Sequence, residues 1–183
     1  MITAANQLVL LQVARRAIVA TVTGNPEPKP CAEGELATRA AAFVSLHIGG
    51  ELRGCIGHLE EHDPLVQTVA ECARLACTVD PRFPQVTEAE MDLIDVEISI
   101  LSPRERVTSP DEIVIGRHGL IVEKDGRKGL LLPQVAAEFQ WTAERFVEQA
   151  CLKAGFSRDG WRLGATLWRF EAQVFGNRQR LRA

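Results

Sequence analysis

Residues 42–58 read AFVSLHIGGELRGCIGH, two alternating patterns separated by a pair of glycines. Apolar and more polar residues alternate over 42–48, which is the period of a strand with one buried face. Residues 52–56 then predict the returning strand of a β-hairpin. The chain is therefore expected to organise itself around an antiparallel hairpin.

The length of the hairpin loop determines which side chains oppose each other. A two-residue loop would place Arg53 beside Leu46 on the apolar face. A three-residue loop over residues 49–51 avoids this, and loops of that length with a left-handed glycine are common. The opposing pairs predicted by this register are Val44–Ile56, Ser45–Cys55, Leu46–Gly54, His47–Arg53 and Ile48–Leu52.

Helices and further strands are predicted outside this hairpin. The helices cover residues 3–20, about 64–79, 133–139 and 143–154, with Asp63 and Thr142 as N-caps and Gly155 as a stop. The apolar stripe predicted for the first helix is Ala4, Leu8, Leu11, Ile18 and Val22. The strands cover 93–101, 119–124, 127–132 and 165–175, with a turn at Asp125-Gly126 and Glu123 opposite Lys128.

This order of elements predicts an α+β fold, because hairpins are mixed with helices without regular alternation. We expect a largely antiparallel sheet flanked by helices. Residues 1–183 are predicted to form a single domain that begins with a helix over about 1–20. The tail 177–183 is expected to be mobile.

Composition excludes several functional classes. The 183 residues include 21 Lys and Arg and 24 Asp and Glu, for a net charge of −3. That balance argues against nucleic-acid binding, which needs a concentrated basic surface. No apolar run approaches the roughly 20 residues of a membrane-spanning helix. With no recognisable leader and an odd number of cysteines, five, the chain is predicted to be cytoplasmic with free thiols.

Cys55 is the candidate nucleophile. The predicted register gives it Arg53 on the same face and His47 within diagonal reach, and both groups stabilise a thiolate. Gly54 and Gly57 would let a ligand or another backbone approach closely. The structural alternative is that Cys55 is buried as a small hydrophobe, as is expected for Cys72, Cys77 and Cys151 on their helical stripes.

Other polar groups permit competing interpretations. Cys55, His58 and His62 have a spacing that zinc could use, but without a second cysteine pair we expect no metal and no cofactor. His118, at a glycine-flanked turn, is a base or an ordinary turn residue. Asp80 and Arg82 in a double-proline loop form a polar clamp or simply staple their own loop. Glu97 is an acid or a solvated strand residue.

Several motifs together resemble the AMMECR domain family, also called AmmeMemoRadiSam system protein A. They are Leu52-Arg53-Gly54-Cys55-Ile56-Gly57, Asp80-Pro81-Arg82-Phe83-Pro84, Glu97-Ile98-Ser99-Ile100-Leu101-Ser102-Pro103, Gly116-Arg117-His118-Gly119-Leu120, Gly129-Leu130-Leu131-Leu132-Pro133-Gln134-Val135-Ala136 and Lys153-Ala154-Gly155. The resemblance spans nearly the whole chain. A further Pro is common after Pro84, where this chain has Gln85.

The resemblance implies an α+β fold of two intimately associated subdomains, and it brings no established reaction. It implies two protein partners, a Memo-like protein and a radical SAM enzyme. The motif Arg53 to Gly57 then supports an enzyme or enzyme subunit acting on a small molecule through the Cys55 thiolate. Arg53, His47 and His118 would assist, and Gly54, Gly57, Asp80, Arg82, Glu97 and Gln134 would line the pocket. The alternative is a non-catalytic adaptor that docks a partner protein through the same motif.

Overall fold

The computed structural model describes residues 1–26 and 29–176, which fall into two compact units. Unit 1 contains Met1–Ile100 and the described residues from Gln173 onward, and unit 2 contains Leu101–Ala172. Helices occur with antiparallel strands in both units, which confirms the predicted α+β class. The predicted mobility of 177–183 concerns residues outside the described ones.

Unit 1 is a sheet covered on one face by two helices. Its elements are α1 (Ala4–Thr23), β1 (Ala42–Ile48), β2 (Glu51–His58), α2 (Leu65–Thr78) and β3 (Ile94–Leu101). Strand β1 lies between β2 and β3 and pairs antiparallel with both, which leaves β2 at the sheet edge. The inward side chains of β1 and β3 alternate as predicted and pack with the helices in one core.

Unit 2 is built around a second set of antiparallel strands. Its elements are β4 (Glu105–Val107), β5 (His118–Lys124), β6 (Arg127–Leu131), α3 (Pro133–Glu138), α4 (Ala143–Lys153) and the first part of β7 (Thr166–Gly176). Strand β7 pairs with β4 and β5, and β6 pairs with β5. The turn at Asp125-Gly126 and the pair Glu123–Lys128 are confirmed.

The hairpin of β1 and β2 confirms the register in its centre and corrects it near the loop. Val44–Ile56, Ser45–Cys55 and Leu46–Gly54 are paired as predicted, but His47 pairs with Leu52 and Ile48 with Glu51. The loop is the two-residue turn Gly49-Gly50, with φ of +59° and +88°. The extra residue, Arg53, is accommodated in a β-bulge, so the apolar face stays continuous without a longer loop.

Two local predictions about the helices are also corrected. Helix α2 begins at Leu65 with Pro64 in the cap position, and no side chain caps it, so Asp63 is not the N-cap. Helix α1 buries Leu10, Val13, Ala14, Ala17 and Ile18, whereas Leu8 is 62% exposed. This helix is apolar over most of its circumference, so periodicity alone could not choose the buried face.

Candidate functional site

The Cys55 thiol lies in a row of polar side chains that crosses three strands of unit 1. Ser45 of β1 is paired with Cys55 on one side and with Glu97 of β3 on the other. The Ser45 hydroxyl donates a hydrogen bond to Cys55 Sγ at 3.2 Å. Cys55 is half-buried and Ser45 is buried. A hydroxyl that donates a hydrogen bond to a sulfur atom stabilises negative charge there.

The edge of β2 that faces away from β1 is covered at Cys55 by the loop that contains Asp80 and Arg82. The Cys55 backbone N–H donates to Asp80 Oδ2 at 2.8 Å, and Arg82 Nη2 donates to the Cys55 carbonyl at 3.5 Å. Both backbone groups therefore point away from β1. Cys55 and Ser45 consequently form the non-hydrogen-bonded type of pair, in which opposing side chains approach most closely.

A two-point contact fixes Arg82 against Asp80. Arg82 Nε donates to Asp80 Oδ1 at 2.9 Å, and Nη2 donates to Oδ2 at 2.7 Å. Hydrogen bonding to Arg82, assisted by the Cys55 N–H, lowers the pKa of the buried Asp80 to about 2. Hydrogen bonding to Asp80 raises the pKa of Arg82, and the Cys55 thiol adds to that effect. Arg82 is thus a cation beside the thiol.

Arg53, the predicted partner of the thiol, is occupied elsewhere. Its Nε donates to Glu90 Oε1 at 2.7 Å, and its amino groups donate to Glu90 Oε2 and to the carbonyls of Pro84 and Gln85. The Arg53 hydrogen bond, together with the Thr87 N–H, lowers the pKa of Glu90 to about 2. Arg53 therefore holds residues 84–90 against β2.

The two glycines of the motif serve packing inside unit 1. A Cβ added at Gly54 would overlap the carbonyl oxygen of Ala76 in α2, so the predicted close approach is that of a helix backbone. A Cβ added at Gly57 would overlap the ring of Phe43. Packing within unit 1 therefore explains the presence of both glycines, and no approaching ligand is needed to explain them.

His47 lies on the same face of the sheet as Ser45, two residues further along β1. It is 6% exposed and is paired with Asp95 of β3 and with Leu52 of β2. Unit 1 thus brings together eight of the ten predicted site residues, which are Cys55, Arg53, His47, Gly54, Gly57, Asp80, Arg82 and Glu97. His118 and Gln134 belong to unit 2, where Gln134 is half-buried in the first turn of α3.

His118 closes a turn in unit 2. Its backbone N–H donates to the Val114 carbonyl at 2.9 Å, and its Nδ1 accepts from the Val114 N–H at 3.0 Å. Burial lowers the pKa of His118, and the charges of Arg169 and Arg117 lower it further. The neutral imidazole is the form that accepts this hydrogen bond.

Unit 2 is therefore expected to lose stability as pH falls below about 6.5. As pH falls, His118 is protonated at a higher pH in the unfolded chain than in the folded one. Between the ordinary pKa of about 6.5 and the lower pKa of the folded protein, stability therefore rises with pH, and above about pH 6.5 the full contribution of His118 is present. The loss is about 1 kcal/mol, the net value of one hydrogen bond. Urea unfolding followed by tryptophan fluorescence measures it, because Trp141, Trp161 and Trp168 all lie in unit 2.

A matched pair of variants isolates this effect. His118→Asn keeps an acceptor near Nδ1 and removes the titration, so its fluorescence midpoint should fall less between pH 7 and pH 5. His62→Asn, at an exposed position of unit 1, should behave like the parent chain. Parallel pH profiles for the parent and His118→Asn would show that another group dominates.

Two site residues were not predicted, Ser45 as the thiol's hydrogen-bond donor and Glu90 as the Arg53 partner. The first was present in the predicted Ser45–Cys55 pairing. The second had only the capping-box spacing of Thr87 and Glu90, which the structure confirms. The pairing of Arg53 with Glu90 joins segments 37 positions apart, and no local pattern signals it.

The histidines near Cys55 do not form a metal site with it in the described part of the chain. Among residues 1–26 and 29–176, no group of three or more His, Cys, Asp and Glu side chains is arranged to hold a metal ion. His58 Nε2 lies 3.8 Å from Glu71 Oε2, and His62 is exposed. No helix in this described part of the chain has the length and apolar character to cross a membrane.

The fold and the site together define a small α+β protein whose sheet carries a half-buried thiol beside a loop-held guanidinium. Over residues 11–175 the chain matches the family model described as AMMECR1. The chain belongs to the AMMECR1 family, which confirms the resemblance found in its motifs.

Relatives of this chain include several archaeal proteins. A protein of Methanosarcina mazei is 40% identical over 179 residues, covering 92% of this chain and 90% of that protein. Protein MJ0810 of Methanocaldococcus jannaschii is 48% identical over 146 residues, covering 75% and 73%. The crystal structure of the uncharacterized protein PH0010 from Pyrococcus horikoshii has a TM-score of 0.85 at 38% identity, covering 93% of this chain and 90% of that one.

Proposed function

We propose that this protein is an enzyme, or the subunit of an enzyme, that acts on a small molecule through the Cys55 thiolate. The observation that carries the proposal is the hydrogen bond from Ser45 Oγ to Cys55 Sγ at 3.2 Å, beside the Arg82 guanidinium. A hydrogen-bond donor and a cation next to a thiol both stabilise negative charge on the sulfur, and the charged sulfur is the nucleophilic form.

The fixed backbone around Cys55 supports the same proposal. Asp80 and Arg82 bind its N–H and its carbonyl, so the backbone that carries the thiol is held in place, and Ser45 binds the sulfur itself. Pre-organisation of this kind lowers the cost of reaching a reactive geometry. His47, on the same sheet face, is the nearest candidate for a proton carrier along β1.

The test is the rate at which iodoacetamide alkylates each cysteine of the native protein, read by mass spectrometry. We expect Cys55 to react fastest at pH 7. Cys31 is exposed, but a hydrogen bond to Glu33 and its negative charge raise the pKa of Cys31 and slow it. Burial raises the pKa of Cys72 to about 12 and also raises the pKa of Cys77 and of Cys151, so these three should stay unmodified until unfolding.

Ser45→Ala is the matched variant, because it removes only the hydroxyl that donates to the thiol. It should slow Cys55 roughly threefold to tenfold, the value of one hydrogen bond, and leave Cys31 unchanged. If Cys55 is as inert as Cys72 in the folded parent protein, the thiol is structural and the proposal fails.

A second function is favoured by the way the motif is used in packing. Arg53, Gly54 and Gly57 are all engaged inside unit 1, while Leu52 beside them is 38% exposed. A rigid edge with an exposed apolar residue suits an adaptor that docks a Memo-like protein or a radical SAM enzyme, the partners that the family resemblance implies.

Size-exclusion chromatography of the mixed purified proteins tests the adaptor function. If it holds, Cys55→Ser keeps the complex and Leu52→Asp loses it. A complex that forms equally well with both variants would place the docking surface elsewhere.

A further inference from the structure

The guanidinium of Arg82 has one edge that the loop does not use. Nε and Nη2 bind Asp80, and Nη2 also reaches the Cys55 carbonyl, whereas Nη1 has no hydrogen bond within the described part of the chain. The side chain is 56% exposed. An arginine fixed on one edge and open on another is suited to bind an anion, because little side-chain freedom is lost.

Two contacts keep this open edge in place. The Asp80 carboxylate that holds the guanidinium is itself buried, with a side chain only 3% exposed. The guanidinium carbon lies 5.4 Å from the centre of the Phe83 ring, within cation–π range. Arg82 is thus positioned both by a buried carboxylate and by an aromatic ring.

Charge is distributed unevenly around the Cys55 thiol. Arg82 stands at the β2 edge, next to the Cys55 carbonyl. Across the sheet the order is Cys55, Ser45 and then the carboxylate-bearing Glu97. Arg82 is paired with Asp80, but the Asp80 side chain is buried and the Arg82 side chain is exposed, so the accessible charge on that side is the guanidinium. A bound anion is therefore favoured on the Arg82 side of the thiol and disfavoured on the Glu97 side.

We infer that the small molecule bound at this site is an anionic electrophile, whose carboxylate or phosphate oxygen accepts a hydrogen bond from Arg82 Nη1 while its electrophilic carbon faces Cys55 Sγ. The inference rests on the proposed function, since it names the substrate class of the same thiol. In the reaction the Sγ–carbon bond forms, the leaving group departs with its electron pair, and the thiol proton passes to solvent.

Two alkylating reagents of nearly equal size separate charge from reactivity. Iodoacetate is anionic and iodoacetamide is neutral, and in both reactions the attacking sulfur bonds to carbon while iodide leaves into solvent. The measured quantity is the rate of Cys55 alkylation by iodoacetate divided by its rate of alkylation by iodoacetamide. Arg82→Gln should lower that ratio roughly fivefold, the effect of one nearby charge at the protein surface, and should not alter the ratio at Cys31. Arg82→Lys should recover part of the preference, because it keeps the charge.

Arg82→Gln leaves the buried Asp80 without its partner, so the double variant Asp80→Asn with Arg82→Gln is measured in parallel. It removes both charges and retains an amide oxygen for the Cys55 N–H. The double variant is expected to show the same fall in the iodoacetate-to-iodoacetamide rate ratio at Cys55. In the parent protein the preference should also fall at about 1 M salt, where the screening length is about 3 Å.

Protection by simple anions identifies the group. Inorganic phosphate and acetate are each tested for slowing of iodoacetamide at Cys55, in the parent protein and in the double variant. The stronger protector indicates which oxyanion the site prefers, and its effect should vanish in the double variant. Protection by neither anion overturns the inference.

The outcomes also distinguish the two proposals. If Cys55 reacts readily with both reagents and the rate ratio is the same in the parent protein, in Arg82→Gln and in the double variant, the anionic substrate class is wrong and the thiol-based function stands. If Cys55 reacts with neither reagent in the folded protein, the proposed function itself fails.

Discussion

Replacing Gly54 by alanine is expected to lower the free energy of unfolding of unit 1 by about 3 kcal/mol or more, beyond the usual cost of overpacking. The added methyl would overlap the Ala76 carbonyl oxygen, which is part of the α2 backbone. A helix backbone cannot move aside as a side chain can, so the whole helix must shift away from β2. The core that α2 shares with the sheet would loosen with it.

Gly57→Ala is the matched control, three positions along the same strand. Its methyl would meet the Phe43 ring, a half-buried side chain that must change its rotamer to make room, so a cost of about 1–2 kcal/mol is expected, below that of displacing a helix backbone. Pulsed alkylation of Cys72 and Cys77 in increasing denaturant reports on unit 1, where both are buried. Equal losses in the two variants would mean that α2 moves freely and would contradict the assigned contact.

Asp80→Ala is expected to lower the stability of unit 1 by about 3 kcal/mol at pH 7. The change removes the acceptor of the Cys55 N–H and both contacts of Arg82. Breaking a fully buried pair costs about 3–5 kcal/mol, and the value here is at the low end because Arg82 is more than half exposed. Asp63→Ala, at an exposed position that does not cap α2, should change stability little.

The pH dependence separates the charge of Asp80 from its role as an acceptor. Its pKa is about 2 in the folded protein against an ordinary value of 3.8. Its charge therefore contributes stability above about pH 4 that is lost as pH falls towards 2, roughly 2 kcal/mol in all. Asp80→Asn keeps a neutral acceptor for the Cys55 N–H, so its deficit should be largest at pH 7 and disappear near pH 2.

Urea unfolding followed by circular dichroism measures this deficit, since α1 and α2 supply 20 and 14 helical residues of unit 1. Tryptophan fluorescence, which reports on unit 2, serves as the control and should not change. A deficit of Asp80→Asn that stays constant from pH 7 to pH 2 would rule out the charge contribution.

The elements with the strongest local signals were predicted correctly. The inward residues of 93–101 alternate as expected, and Asp125-Gly126 forms the turn that its two residues favour. The centre of the first hairpin also followed from sequence, because burying Val44 and Leu46 on one face permits only one register there. Near the loop that constraint ends, and a bulge at Arg53 replaced the predicted longer loop.

Most residues of the candidate site were predicted from the sequence, but the hydrogen bonds between them were not. The thiol, the sheet face and the Asp80–Arg82 loop could be chosen from residue types and spacing. Which arginine stands beside Cys55 could not be chosen, because the choice depends on two contacts between separate segments. Arg53 is held by Glu90, 37 positions away, and the loop of Arg82 is held to Cys55 through Asp80, 25 positions away.

Local patterns were sufficient to predict the class of fold, the register in the centre of the hairpin and the family, since alternation, turn residues and ordered motifs are local properties. They could not predict the buried face of α1, the use of Gly54 to admit the α2 backbone or the choice of Arg82 as the cation beside the thiol. Each of these depends on contacts between segments far apart in the chain, and such contacts form only when the sheet and helices pack together.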